Sequence, residues 1–494
     1  MGGENTVLDA AAARHFLRRT GFGVLADETA DYTGLTRGEA ADLRLDFKRS
    51  RRKPGGGKDL HKVQDRYLKL VLKRNSPGLQ EKLVLFWHDH FATNNAGVGD
   101  SKLMSLQNRL LRYHCAGNMR EMVKEIGRDV AMIEFLNTQQ NHKSEPNENY
   151  ARELMELFTV GVNDFAGNEN YRQSDIVQIA RAFSGWRYIP VKYKRYFDET
   201  QHDYVAEFPA RGPKVVFTDA GGFGVGGRAF DDLGEGEPEI DRVVDVLFDH
   251  TDTDGENTIA RRIAQRLLEC FGHGDFADPV VAQPVVDAVV AASGFDVTFE
   301  IAPLLRAILS HDAFYEACVA APFGPATKKS VKWPVDFVIG TMRMLDIKPK
   351  QNRLWGGDFL TLREHVARMG QSPMEPPSVF GWHWENSWLT TGSVLARCAF
   401  ARDVSMARIG GKSTRLRAAE LVGDTLTDPG EIVDAATAVL GITDQLNANE
   451  RNGFIDYLTS EVGGPLDLTD PDFVDRKLSG LFGLLLQSPA YQVH

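Results

Sequence analysis

The run Leu83-Val84-Leu85-Phe86-Trp87 is apolar on every side, so a helix built on it has to be buried all round. Ser76-Pro77 gives it a good start, because proline is tolerated in a first turn. The run passes into Trp87-His88-Asp89-His90-Phe91-Ala92-Thr93-Asn94. Residues two apart on a helix differ by about 200°, so His88 and His90 point to opposite sides. One metal takes both only if the stretch is extended or lies at a helix end. The expectation is that one histidine faces a neighbouring helix and the other caps or packs, each buried and hydrogen-bonded.

Helical periodicity extends far beyond this segment. It runs from Leu60 to about Gly185, with helices expected near 102–115, 119–135, 149–160 and 174–184. It returns from Ile240 to Phe271 and recurs at 280–293, 301–310, 331–345, 358–369, 387–408, 431–440, 449–460 and 471–487. Residues 186–237 differ: Tyr188, Tyr193, Tyr196 and Val215-Val216-Phe217 sit among Pro, Gly and Asp, which reads as short strands and long loops. The expected fold class is therefore mainly α, a multi-helical globule with a small strand- and loop-rich insertion. The division is 1–185, 186–237 and 238–494, in keeping with a 494-residue chain that predicts two to four units at about 150 residues each. Gly222-x-Gly224-x-x-Gly227 is not followed by a clear helix, so it is no dinucleotide fingerprint.

Composition excludes some classes. With 57 basic and 68 acidic side chains the formal charge is −11, which argues against a general nucleic-acid binder. No stretch approaches ~18 uninterrupted apolar residues, so no membrane span is expected. Cys115, Cys270, Cys318 and Cys398 are scattered, with no C-x-x-C. Met1 to Arg19 holds no apolar leader core, and the Arg18-Arg19 pair is followed by Thr-Gly-Phe-Gly; the chain as written reads as cytoplasmic. There is no G-x-S-x-G elbow, H-E-x-x-H or kinase signature.

The polar residues gather in a few places. In Pro146-Asn147-Glu148-Asn149-Tyr150-Ala151-Arg152-Glu153-Leu154-Met155-Glu156, a helix puts Asn149, Arg152, Glu153 and Glu156 on one face. Two carboxylates held together share a proton or bind a hard cation, whereas an Arg152–Glu156 pair is the plain alternative. Arg181 projects from the helix that Ser174-Asp175 caps, and Ser184-Gly185-Trp186 ends it. Pro376-Pro377 leads into Trp382-His383-Trp384 and Trp388, a rigid aromatic loop able either to line a carbohydrate or peptide groove or to close the core beneath it.

Together the segments RHFLRRTGFG (14–23), LFWHDHFATN (85–94), PNENYARELMELFTVG (146–161), YRQSDIVQIARAFSGW (171–186), Pro376–Trp388 and LLQSPAYQ (485–492) resemble the bacterial family known as domain of unknown function 1800. The resemblance implies a predominantly helical protein without an assigned reaction, export as the alternative location, and a neighbouring partner similar to sulfatases and alkaline phosphatases. The family tends to carry a His-Asp and then a lysine after the Gly-Trp element; the nearest counterparts here are His202-Asp203 and Thr218-Asp219.

Two readings follow. The first is a hydrolase-type or metal-assisted enzyme. Its catalytic group is Glu153, Glu156, His88, His90, Arg152 and Arg181, with Glu153, Glu156 and His90 as ligands for a divalent metal. Asn147, Asn149, Trp186, Trp382, His383 and Trp384 bind the substrate. The second is a non-catalytic accessory or binding protein, in which the same polar groups fix helix packing and the aromatic loop is the contact surface.

Overall fold

The computed structural model describes residues 3–73, 76, 78–205, 211–218, 227–229, 237–316, 328, 330–347, 360–405, 416–460 and 466–494. It is mainly α, with two small two-stranded sheets among the described residues. No helix among these residues is long and apolar enough to cross a membrane. Cys318 and most of the Gly221–Gly227 run lie outside them.

Local chemistry sets the helix starts. Asp9, Asp59, Asp100, Asn118, Asp129 and Asn257 each accept a backbone N–H from the first turn of the helix that follows. Thr36 with Glu39, Thr361 with Glu364 and Asn447 with Glu450 form reciprocal capping boxes. Helix Gly78–His90 is enclosed along nearly its whole length, with Trp87 at 0% exposure. Its surroundings belong to one continuous cluster of buried apolar residues that runs from Leu8 to Val493.

Several expected helices are interrupted, each for a local reason. The 119–135 stretch splits into Met119–Gly127 and Val130–Phe135, because Asp129 turns its carboxylate onto Met132 N and caps the second piece. The 240–271 stretch is two helices, Glu239–Phe248 and Thr258–Phe271, separated by a turn closed by Asn257. Asn149–Glu153 passes into a π-helical turn at Leu154–Phe158, where Thr159 Oγ1 donates to Leu154 O at 2.5 Å. The last helical stretch likewise runs through Pro471–Phe473 and a π-turn, Val474–Leu478, into Ser479–Gln487. A π-turn inserts a residue into the helical repeat and shifts every later side chain around the axis.

In the insertion, Trp186–Ile189 pairs antiparallel with Lys194–Phe197, and Val215–Val216 with Arg228–Ala229. Helix Thr258–Phe271 ties the polar segments together. Arg262 Nη2 donates to Glu156 O at 2.8 Å, Arg266 Nη2 lies 3.3 Å from Asp89 Oδ2, and Phe271 O accepts from Arg19 Nε at 2.7 Å. Positions 262 and 266 are one turn apart, so a single face of this helix serves the π-turn Leu154–Phe158 and then the Gly78–His90 helix.

Candidate functional site

The His-Asp-His element turns both imidazoles inward. His88 Nε2 accepts the Met374 N–H at 3.1 Å, which places the proton of the neutral ring on Nδ1, and the ring meets Trp382 edge-on. His90 Nε2 lies 3.2 Å from Phe158 O and so donates to it. Burial pushes His88 down to about 4 and His90 down to about 3, the latter helped by Arg266 and Arg262. Both rings therefore stay neutral at ordinary pH.

The group between them was overlooked in the sequence. Asp89 is 1% exposed and accepts Trp382 N at 2.7 Å and Trp384 Nε1 at 3.0 Å. Burial pushes its carboxyl up to about 7, against the pull of Arg266 and those two N–H groups. The aromatic loop is thus anchored inward. Trp382 and Trp388 are 4% and 3% exposed, so they close the core and do not line an open groove, while His383 is exposed. Trp186, also assigned to binding, is 1% exposed and packs edge-on against Phe197.

On the Asn149–Glu153 helix, Arg152 sits 3.1 Å from Glu148 and 3.5 Å from Glu156. Glu153 is raised by partial burial and by Glu156. Asn147 Oδ1 accepts Asn149 N at 3.0 Å, a local turn that leads into the helix. The structure does not join these carboxylates to an imidazole: His90 reaches the backbone of the π-turn at Phe158, not the side chain of Glu156. Among the described residues no group of three or more His, Cys, Asp or Glu is placed to hold a metal ion, so Glu153, Glu156 and His90 do not form the expected ligand set. No hydrogen bond or ion pair among the described residues joins His88 or His90 to the Glu153 or Glu156 side chain.

Arg181 lies elsewhere. Its Nε is 3.0 Å from Asp203 Oδ2 and its Nη2 donates to Gly212 O at 2.7 Å, with side-chain exposures of 2% and 0% across the ion pair. Beside it, His202 Nδ1 donates to Ser184 O at 2.9 Å, its Nε2 is 3.1 Å from Glu239, and Lys214 Nζ is 2.7 Å from the same carboxylate. His202-Asp203 and Lys214 thus meet in one sealed network, which fixes the insertion to helix Glu239–Phe248. Asp219 lies outside the described residues.

A second convergence has a cavity. Arg19, Lys82, Glu269, Asp336, Glu385 and His494 line a space of about 20 Å³, together with Trp384 and Phe86. That is room for a water or two, since one needs ~10–15 Å³. Lys82 Nζ is 3.1 Å from Asp336 Oδ1, and His494 Nε2 is 3.5 Å from Asp336 Oδ2. Glu385 accepts Val331 N at 3.0 Å from a backbone held at φ 55°, a conformation non-glycine residues adopt at a cost of ~1–3 kcal/mol. The buried Nδ1 of His494 has no hydrogen-bond partner among the described residues. Burial raises the carboxyls of Glu269 and Glu385 and lowers Lys82; His494 is lowered well below its usual value by burial, with Lys82 and Arg19 adding to it.

Some signals for this site were present in the sequence. Lys82 is a charge directly before the all-apolar run, Glu385 follows Trp384 directly, and Arg19 belongs to the twin arginine. Nothing local pointed to Asp336 or His494.

A family model described as protein of unknown function (DUF1800) matches residues 15–493. No curated protein and no solved structure matches the chain.

Proposed function

From the premise that the chain belongs to the DUF1800 family, whose description assigns no reaction, we propose a hydrolase-type enzyme that works by acid–base chemistry in the Arg19–Glu385 cavity. It uses the expected kind of cluster, carboxylates with histidine and cationic side chains, but a different set of residues. The observation that carries the reading is that two carboxyls raised by burial, Glu269 and Glu385, share one water-sized cavity with Arg19 and Lys82.

The chemistry follows from the environments. The cavity that these side chains line has room for one or two waters, so it admits the attacking water and a single oxygen-sized group of the substrate, which the positive charge of Arg19 and Lys82 holds. Glu385 takes a proton from that water as it attacks, and Glu269, whose carboxyl is raised by burial, gives one to the leaving group. The two carboxyls feel each other's charge, which favours one protonated and one ionised partner.

The test is hydrolysis of p-nitrophenyl acetate, phosphate and β-glucoside by the purified chain and by Glu385→Gln. One substrate class is turned over, and the variant is slower by about 100-fold at an unchanged unfolding midpoint. Equal rates for chain and variant on all three substrates would sink the reading.

One observation favours a second reading, the accessory protein. Phe380 is 67% exposed on the otherwise anchored aromatic loop, a rigid apolar contact point. A partner similar to sulfatases and alkaline phosphatases belongs to this reading. Copurification of such a partner with the chain, abolished by Phe380→Asp, is its expected result.

A further inference from the structure

We propose that Arg266 is a positioning residue that couples two carboxyls: because it bridges Asp89 and Glu269, ionisation of either one holds the proton on the other. The part given to Glu269 in catalysis rests on the function proposed above; the coupling itself does not.

The geometry is that of a shared cation. Arg266 Nη1 donates to Glu269 Oε2 at 3.1 Å, and Nη2 donates to Asp89 Oδ2 at 3.3 Å, so the two ends of one guanidinium serve two carboxyls. The guanidinium stands 4.1 Å from the centre of the Trp384 ring, and Trp384 Nε1 donates to the same Asp89 oxygen at 3.0 Å. Indole, carboxylate and guanidinium thus hold one another in place. Arg266 cannot turn wholly toward one carboxyl without giving up its bond to the other.

Burial makes the sharing consequential. The Asp89 side chain is 0% exposed and that of Glu269 12%, so neither charge is met by bulk water. A buried charge needs a partner or a proton. Two carboxylates facing one cation leave one of them over, and that one keeps its proton. Burial raises both carboxyls, Asp89 up to about 7, and the charge of Glu269 adds to the rise at Asp89.

The other charged groups nearby do not relieve Glu269. Glu385, across the cavity, raises it further. Arg19 is spent on the carbonyls of Cys270 and Phe271 and on Ser330, and Lys82 lies 3.1 Å from Asp336. His494, lowered well below its usual value, also faces Asp336, and burial keeps His88 and His90 of the Asp89 helix neutral. Among the described residues Arg266 is the one cation paired with Glu269. Glu269 lines the cavity and Asp89 does not, so a carboxyl outside the cavity sets how readily one inside it gives up its proton.

Carboxyl ¹³C NMR titration of the full chain, labelled at aspartate Cγ and glutamate Cδ, tests this. The two signals are assigned by their loss in Asp89→Asn and Glu269→Gln. Asp89→Asn lowers the Glu269 midpoint by about half a pH unit or more, and Glu269→Gln lowers the Asp89 midpoint by a similar amount, since coupling is reciprocal. Arg266→Gln raises both midpoints, and Arg266→Lys, which keeps the charge, brings them back toward the native values. A purely structural Arg266 would alter the unfolding midpoint and leave the carboxyl titrations where they are. With a substrate that is turned over, the alkaline limb of kcat follows the Glu269 midpoint to lower pH in Asp89→Asn. Shifted titrations without turnover uphold the coupling and sink only the enzyme reading. The coupling is overturned if either carboxyl substitution leaves the other midpoint in place, or if Arg266→Gln moves neither.

Discussion

Asp89 holds Trp384 by an indole hydrogen bond of 3.0 Å, and through it a helix apolar on all sides fixes the position of the aromatic loop. The same carboxylate accepts Trp382 N at 2.7 Å, and Arg266 stands over the Trp384 ring at 4.1 Å. Trp384 is also a wall of the Arg19–Glu385 cavity. The polar centre of the His-Asp-His element is thus its aspartate, and its work is to shape the neighbouring cavity.

This anchor has a pH signature. The folded carboxyl is pushed up to about 7 from its ordinary 3.8, so between those values the folded state holds more protons than the unfolded one. Stability from this group is therefore greatest at low pH and falls as pH rises toward 7. In urea unfolding, the advantage of the native chain over Asp89→Asn is larger at pH 5 than at pH 8. An advantage that grows with pH would show that Arg266 and the indole donors outweigh burial.

His90, one residue on, has the opposite sign. Its folded value is about 3 against 6.5 unfolded, so the unfolded state takes up the proton first. The contribution is fully present above about pH 6.5 and is lost as pH falls toward 3. His90→Phe keeps the ring but removes the bond to Phe158 O, costing about 1–2 kcal/mol at pH 7. That difference narrows on acidification to pH 4; a constant difference would contradict the buried neutral ring.

Gly381 is required where the loop meets Asp89. Its φ is +79°, and a Cβ there would lie 2.4 Å from Asp89 Oδ1 and 2.7 Å from Asp89 O. Gly381→Ala combines a strained backbone with a clash against a side chain that cannot swing away, and costs about 3 kcal/mol. The near-ultraviolet circular dichroism of the tryptophans changes with it. A variant with native stability and an unaltered aromatic signal would refute the close approach.

Arg181 and Glu153, grouped together by their chemistry, separate in thermal unfolding. Arg181→Met leaves Asp203 buried with, among the described residues, Arg211 as its remaining cation and loses about 3–5 kcal/mol. Glu153 is half-buried and receives no hydrogen bond among the described residues, so Glu153→Gln changes stability by less than about 1 kcal/mol. Similar losses from the two substitutions would mean that Glu153 belongs to a network of its own.

Much of the helical framework was legible along the chain. The helix expected at 301–310 is found at Ile301–Ser310, and that at 280–293 at Pro279–Ser293. Boundaries failed where one side chain competed with the repeat, as Asp129 does by capping, or where a π-turn at Leu154–Phe158 added a residue that hydrophobic spacing does not reveal. The strands of 186–237 were recognisable from their aromatic and β-branched residues, although their pairing was not.

The sequence by itself determined that the Gly78–His90 helix lies inside, because a helix without a polar face has no other stable place, and so it also determined that charged groups would be buried with it. Only the tertiary structure decided which groups meet. Arg19 and His494 come from opposite ends of the chain, and Lys82, Asp336 and Glu385 from separate segments between them, yet all five line one cavity. Periodicity reports which face of a helix is buried. The partner across that face depends on how distant helices pack, and so do the burial and charge that set each side chain's proton affinity.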